Sequence, residues 1–499
     1  MLKNIIANFI GRFWSIFSNF LFIPLYIKLL GFESYAIISF GLVIAGIMAV
    51  LDAGLTATLS REFARSDLSF SEKQRTFRTL ETTYFGVTGI AIFLVIVFSN
   101  TIAISMVTSE TYKPEEISLF IKIISIDIGF QLLNRFYLGG FMGLEKQVKA
   151  NALQVAWGIC RNGLVVITLL ILPSLISFFV WQALSTLLFA LFTGFLLRKH
   201  LKSKYLFGVE RIDRNILKRN WRFAGGMLLI SLVAALNTQM DKLAISKLLP
   251  IDSLGYYTLA ISLSMGIIVL VNPVSIAILP RLTHLFTGDK TTEAQVLYNR
   301  VYKIVAILVF TILSSMFFFN YELIWIWTGN SELANKTSDF VPIIASAVSM
   351  LALATIPYNI AIANGYTKLN NIIGIVSLLI TLPGYWLATD HFGAIGAAYV
   401  YCIVQIFITV IYIYLINRRF FNEKNILRLY IKPILLPLSM AFSVGCIFSN
   451  MPEFFSKSRI FSLIWIGFAT ITIFFSVLLI LVPREELRQF RKQVNLFKH

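Results

Sequence analysis

Three arginines, three aspartates and a lysine fall where an apolar chain has least room for them. Arg12, Asp52, Asp127, Arg135, Arg161, Asp241 and Lys242 all lie within long hydrophobic runs. An ionisable group at the centre of a bilayer costs at least ~2.5–3.5 kcal/mol on insertion scales, so each needs a partner or a purpose. Their types limit the chemistry. A guanidinium is a planar fork that holds phosphate through paired hydrogen bonds, best where water is scarce. A carboxylate in the same setting binds a proton or a sodium ion. His-Glu-x-x-His, the glycine-rich phosphate loop and Cys-x-x-Cys are all missing from the sequence, and His200, His284, His391 and His499 are scattered. The chemistry on offer is therefore binding: an anion by Arg161, Arg135 and Arg12, a coupling ion or counter-charge by Asp52, Asp127, Asp241 and Lys242. The sequence implies no cofactor and no metal.

Spacing puts these residues on helix faces. Asn4, Asn8, Arg12, Ser15 and Asn19 recur every three or four positions, one stripe of a first helix. Asp52, Thr56 and Ser60 form a second stripe, Asp127, Gln131, Asn134 and Arg135 a third, and Asn151, Gln154, Gly158, Arg161 and Thr168 a fourth. Four such stripes in one half imply a hydrated cavity. At ~1.5 Å per residue, Arg12 and Asp52 lie about 10 Å from the cytosolic ends of their helices, Arg161 about 20 Å from the cytosol and Asp127 about 15 Å from outside. Arg12–Asp52 and Arg161–Asp127 read either as counter-ions that fix packing or as parts of a site. Three arginines against two aspartates leave this half net positive, which suits an anionic cargo. The second half offers only Asp241 and Lys242, beside Asn237; about 100° apart on a helix, they leave Asp241 free to titrate.

The elements that carry them are membrane helices. The chain is 57% hydrophobic and 14% charged over 499 residues, with mean hydropathy +0.78, which excludes a soluble fold. A span needs roughly 20 apolar residues, and such runs lie near 5–30, 35–59, 82–107, 117–141, 148–172, 174–197, 223–248, 255–280, 300–327, 340–364, 369–389, 392–416, 430–449 and 459–482. The expected fold is an all-α polytopic membrane protein of about 14 transmembrane helices. Continuous apolar runs, not alternating ones, exclude a β-barrel. With the first helix starting inside, about thirty-two Lys and Arg fall on the cytosolic side and six outside. The net charge of +18 is thus topology, with both termini cytosolic, and not a nucleic-acid signature. Cys160, Cys402 and Cys446 lie in separate spans and build no disulfide framework. Arg12 interrupts the first run, which reads as a retained helix and not a leader. Outer loops are short, the longest around Thr328–Asp339 and Asn450–Ser458, and give an enzyme nowhere to stand. Pro24, Pro273, Pro357 and Pro383 loosen their spans, and Gly393 to Ala398 give the twelfth helix a small-residue face.

A basic stretch, Arg198–Arg222, separates two apolar halves, and after it the chain starts again. LLGFESYAIISF (Leu29–Phe40) has a counterpart in LLPIDSLGYYTL (Leu248–Leu259), about 219 positions on. Asp52 and Arg61 correspond, with one residue of slippage, to Asn272 and Arg281. The expected domains are an N-terminal six-helix lobe at 1–200, a basic cytosolic linker at 201–222, a second six-helix lobe at 223–417, and two further helices with a basic tail at 418–499. Two such pseudo-symmetric halves read as a transporter.

FIPLYIKLLGFESYAIISF, LDAGLTATLSREFA, MDKLAISKLLPIDSLGYYTLA, ANGYTK and FGAIGAAYV resemble, in order and spacing along the whole chain, the bacterial polysaccharide transporters, the Wzx-type O-antigen flippases. That family belongs to the multidrug/oligosaccharidyl-lipid/polysaccharide exporter superfamily. The resemblance implies a V-shaped pair of lobes that moves an undecaprenyl-diphosphate-linked oligosaccharide to the outer leaflet by alternating access, without ATP and on an ion gradient. It implies the bacterial inner membrane as location and membrane lipids as surroundings. It further implies a polysaccharide polymerase and a chain-length regulator as partners, a monomer, and no nucleic acid. The alternatives within the superfamily are a lipid II flippase and a multidrug or cation antiporter. The antiporter branch commonly has an acidic residue in the first helix, where this chain has Arg12.

Overall fold

The computed structural model describes residue 18 and residues 20–52, 54–201, 213–366, 368–451 and 458–483. Arg12 and the rest of its stripe up to Asn19 lie outside the described residues, as do residues 202–212 of the basic linker and the tail from 484 onward.

Among the described residues the chain is helical nearly throughout, and twelve helices are long and apolar enough to cross a membrane. The first half begins with α1 (Phe20–Leu30), α2 (Phe32–Met48) and a single tight turn at Ala49–Asp52. It continues with α3 (Leu55–Ala64), α4 (Phe70–Met106), α5 (Pro114–Gly143) and α6 (Gln147–Gly158). A π-helical segment at Ile159–Gly163 joins α6 to α7 (Leu164–Ile171), and α8 (Leu175–His200) follows. The run at 117–141 lies on α5, which carries Lys122, Asp127 and Arg135 in mid-helix and is not among the twelve. Beyond the linker come α9 (Arg214–Leu248), α10 (Ile251–Ser264), α11 (Gly266–Thr287), α12 (Thr291–Phe318), α13 (Asn320–Thr328) and α14 (Ser331–Ser338). The chain ends in α15 (Phe340–Ala363), α16 (Lys368–Phe392), α17 (Ala394–Phe420), a π-helical stretch Leu427–Leu435, α18 (Leu436–Ser449) and α19 (Arg459–Leu481).

Local chemistry sets the ends. Ser69 accepts from the Glu72 amide while the Glu72 carboxylate accepts from the Ser69 amide at 2.8 Å, a reciprocal cap that starts α4. Asp213 does the same work for α9, accepting from Asn215 and Ile216. Ser174 accepts from the Ser177 amide at 3.1 Å, so the short join at Pro173–Ser174 is a true helix start. Gly54 at φ +70° takes the left-handed turn that separates α3 from the end of α2, and a Cβ there would stand 2.3 Å from Met227 Cβ. Pro273, Pro357 and Pro383 lie inside helices, as the sequence reading expects. Gly393, by contrast, is a left-handed turn at φ +68° between α16 and α17, and the close approach belongs to Gly396, where a Cβ would stand 2.1 Å from the Ala388 carbonyl oxygen.

The chain packs as two compact units, Met1–Thr258 with Gly374–Ala397, and Leu259–Ile373 with Ala398–His499. In the first, α5 is the central helix, packed on α3, α4 and α8; its own Phe120, Phe136 and Phe141 and the α4 residues Phe77 and Tyr84 are fully buried. In the second, α12 is central, against α11, α15, α18 and α19.

The internal repeat has a physical counterpart within the first unit. Phe32 and Ile251, which start α2 and α10, are 219 residues apart, and Thr258 Oγ1 donates to Ser39 Oγ at 3.0 Å across the same 219-residue offset. Ala36 and Gly255, another pair at that offset, also meet: a Cβ on Gly255 would lie 3.1 Å from Ala36 Cβ. Contact between equivalent residues is what a two-fold axis produces, because each patch then meets its own copy.

Candidate functional site

The strongest polar constellation lies at the π-helical segment between α6 and α7. A π turn leaves carbonyls without their usual partners, and in lipid each must be satisfied from within the protein. Here side chains supply them one by one. Trp181 Nε1 donates to the Cys160 carbonyl at 3.1 Å, Gln182 Nε2 to that of Arg161 at 3.2 Å, and Tyr26 Oη to that of Asn162 at 2.7 Å. The segment is thus locked in a shape that aims Arg161 at α5.

The fork of Arg161 is filled. Nη1 donates to Asp127 Oδ1 at 2.7 Å and Nη2 to Asp127 Oδ2 at 2.8 Å, while Nη1 also reaches Thr186 Oγ1 at 2.6 Å and the Gln182 carbonyl at 3.4 Å. Gln131 Nε2 donates to Asp127 Oδ2 at 2.9 Å. The guanidinium lies 5.6 Å from the Trp157 ring centroid. With side-chain exposures of 16% for Arg161 and 8% for Asp127, the carboxylate is buried and the guanidinium largely so. The structure therefore makes Arg161 and Asp127 counter-ions, one of the two readings that the sequence leaves open.

Arg135 differs. It follows Asp127 and Gln131 at four-residue intervals on one face of α5, yet it is exposed. No bonding partner for it is described, and it is near enough to Tyr84 to act on that hydroxyl electrostatically. Tyr84 in turn donates to Asp52 Oδ1 at 3.0 Å, with the Leu132 carbonyl at 3.1 Å from the same hydroxyl. Asp52 also accepts from Thr56 Oγ1 at 2.5 Å and from the Thr56 amide at 3.3 Å. Asp52 is thus held by hydroxyls in the described residues; its pairing with Arg12 lies outside them.

Asp241 is not free, contrary to the expectation from a 100° helical offset. Lys242 Nζ lies 3.2 and 3.4 Å from its two carboxylate oxygens, the Lys242 amide donates to it at 2.8 Å, and Tyr257 Oη donates at 2.8 Å. The four-carbon stem of lysine reaches back across the offset, and Nζ is anchored further by the Thr238 carbonyl at 2.6 Å.

One buried ion pair and one buried carboxylate with exposed or half-exposed partners escape sequence reasoning. Arg198, which opens the basic stretch, is 5% exposed inside α8 and pairs with Glu81 of α4, also 5% exposed. Tyr137 of α5 joins them, donating to Glu81 Oε1 at 2.7 Å. Glu62 of α3, 1% exposed, accepts from Arg219 of α9 at 2.5 Å and from Arg65 at 3.3 Å. The signal that finds such groups is a carboxylate at the edge of an apolar run, where a charge reads as interfacial. Lys122, also missed, is half-buried on α5 about 140° from Asp127, on the side shared with exposed Leu119 and Ile126.

Twelve helices long and apolar enough to cross a membrane, with ion pairs buried among them, define a polytopic membrane protein. The family model "Polysaccharide biosynthesis protein" matches residues 1–286, more than half of the chain, and the chain belongs to that family. A second family model, MatE, matches residues 227–387. The chain is 20% identical over 369 residues to a Shigella flexneri protein named "Putative O-antigen transporter", covering 74% of this chain and 86% of that one. Its fold resembles a solved structure of "Lipid II flippase MurJ, inward closed conformation", with TM-score 0.73, 16% identity, and coverage of 96% and 98%. It also resembles an inward-facing multidrug resistance MATE family transporter of the MOP superfamily, with TM-score 0.69, 14% identity, and coverage of 82% and 95%. At these identities the solved structures speak for the fold alone.

Proposed function

We propose that this chain is a flippase for an undecaprenyl-diphosphate-linked oligosaccharide, the repeat unit of O-antigen or a related surface polysaccharide. The cargo passes from the cytosolic to the outer leaflet of the bacterial inner membrane by alternating access, with both termini cytosolic and no chemical step on the cargo. The repeat halves 1–200 and 223–417 are the two moving lobes, and α18 and α19 stand outside the repeat.

The observation that carries this reading is the exposed guanidinium of Arg135 on the α5 face that also holds Asp127, two turns along the helix from the Arg161–Asp127 pair. A cation with free donors at membrane depth favours an anionic head group, and a diphosphate offers the acceptor oxygens it lacks. Arg135 is accordingly the first phosphate contact, and Arg161 is held in reserve by Asp127. Arg12 belongs to the same entry path by sequence position. The undecaprenyl tail stays in the bilayer, and the surrounding membrane lipids are its solvent. A polymerase and a chain-length regulator receive the delivered unit, and the transporter works as a monomer.

Deletion in the native host, followed by analysis of lipid-linked sugars, tests the function. The expected result is loss of one surface polysaccharide with its lipid-linked unit retained on the cytosolic leaflet. A normal glycan with no substituting flippase contradicts the reading. Arrested cell-wall synthesis transfers it to lipid II, and sensitivity to cationic dyes alone transfers it to drug extrusion.

A further inference from the structure

We infer that Asp127 is a proton-binding residue that competes with the cargo for the Arg161 fork, so that a diphosphate seated on Arg161 brings one proton into the site. The inference rests on the reading of the cargo as a diphosphate. Both terminal nitrogens of Arg161 are already bonded to Asp127, one to each oxygen. A phosphate that takes the fork in the same bidentate fashion must displace the carboxylate. Asp127 would then keep only Gln131, at 2.9 Å, as a described partner. An ionised carboxylate so buried, next to an arriving anion, is strongly disfavoured, and uptake of a proton from water removes the charge. When the cargo leaves, Asp127 gives the proton back and closes on Arg161 again. The exchange makes and breaks no covalent bond beyond that proton transfer.

The surroundings fit the exchange. Thr186 and the Gln182 carbonyl hold Arg161 Nη1 independently of Asp127, so the guanidinium keeps its place as its partner changes. Two buried atoms beside it have no protein partner among the described residues: Trp157 Nε1, a donor, and Gln182 Oε1, an acceptor. Those are the two kinds of group that a phosphate and a neutral carboxyl respectively require.

The other titratable and charged groups near this stretch of α5 are few. The π segment brings Arg161 and, next to it, Cys160. From α1 comes Tyr26, bonded to the Asn162 carbonyl, and from α4 comes Tyr84, bonded to the Leu132 carbonyl and to Asp52. At this level α8 contributes neutral Gln182 and Thr186. Gly41 of α2 faces Ile124, and the α2 carboxylate Glu33 is spent on Ser109 and on the amides of Glu110 and Thr111. The α3 contacts fall at Gly139 and Gly143, three turns or more from Asp127, and Lys149 of α6 stacks on Phe141. Arg135 lies two turns along α5 itself. Asp127 is therefore the carboxylate that answers to Arg161.

The test uses the purified full chain in detergent and undecaprenyl diphosphate as probe, with calorimetric binding in buffers of different ionisation enthalpy to count protons. Above the last ionisation of the free lipid diphosphate, wild type should take up about one proton per lipid, and its affinity should weaken about tenfold per pH unit. Asp127→Asn should bind with no uptake and a flat profile. Arg161→Gln, which has no fork to exchange, should bind more weakly, also without uptake. The wild-type count stands alone if Asp127→Asn fails to fold. Wild-type binding without uptake overturns the inference and leaves the cargo reading intact. Uptake that persists in Asp127→Asn overturns it too, by placing the proton elsewhere. Failure of every form to bind the lipid diphosphate overturns the cargo reading and this inference with it.

Discussion

The two units solve the same packing problem with different side chains. The interior of the first holds charge: Arg161 on Asp127, Arg198 on Glu81, Lys242 on Asp241, and Glu62 under Arg219. The ion pairs described in the second, Lys290–Glu293, Lys336–Glu332 and Arg428–Glu423, lie at its surface. Its interior is knit instead by neutral groups. Asn359 Nδ2 donates to the Ser275 carbonyl at 2.6 Å, Asn417 Nδ2 to Tyr298 Oη at 3.1 Å, and Ser314 Oγ to the Ala441 carbonyl at 2.9 Å. Neutral hydrogen bonds suffice to join membrane helices, so buried charge is not needed for packing. Charge buried in the first unit against its desolvation cost therefore points to a task there.

The largest predicted effect breaks the contrast by removing charge. Asp127→Leu leaves a buried guanidinium that cannot deprotonate, and should destabilise the protein by about 3–5 kcal/mol, read as lost membrane abundance. Asp127→Leu with Arg161→Leu should restore abundance, because a neutral pair packs well, but not glycan export. Normal export by the double variant would make the pair structural only. A smaller effect is expected at Arg135, which is exposed and carries no packing. Arg135→Gln should leave abundance unchanged and lower export about tenfold or more, the worth of one hydrogen bond between charged groups. The smallest belongs to the neutral unit. Thr409→Val loses a bond of 3.1 Å to the Met350 carbonyl, and should cost about 0.5–1.5 kcal/mol with export preserved.

What was legible in the sequence followed from period and hydropathy. Asp127, Gln131 and Arg135 share a face because they are four apart, and depth along two helices matched Arg161 with Asp127. The repeat was visible as an offset, and the Ser39–Thr258 contact across it is its spatial counterpart. Three things were hidden for physical reasons. The π segment has no signature in periodicity, since it shifts the register of α7 without changing composition. Glu81 and Arg198 stand at the ends of apolar runs, where a charge is cheap in water, and only their packing against Tyr137 draws them inside. The grip of Lys242 on Asp241 depends on a flexible stem, which a count of degrees around a helix ignores.

The central claim is that the charged interior of the first unit recognises a lipid diphosphate. Equilibrium binding of undecaprenyl diphosphate, with undecaprenol as the phosphate-free control, measures this directly on wild type and Arg135→Gln. Wild type should bind the diphosphate and ignore the alcohol, and Arg135→Gln should weaken diphosphate binding about tenfold or more. Equal affinity of the two proteins, or equal affinity of wild type for diphosphate and alcohol, would contradict it.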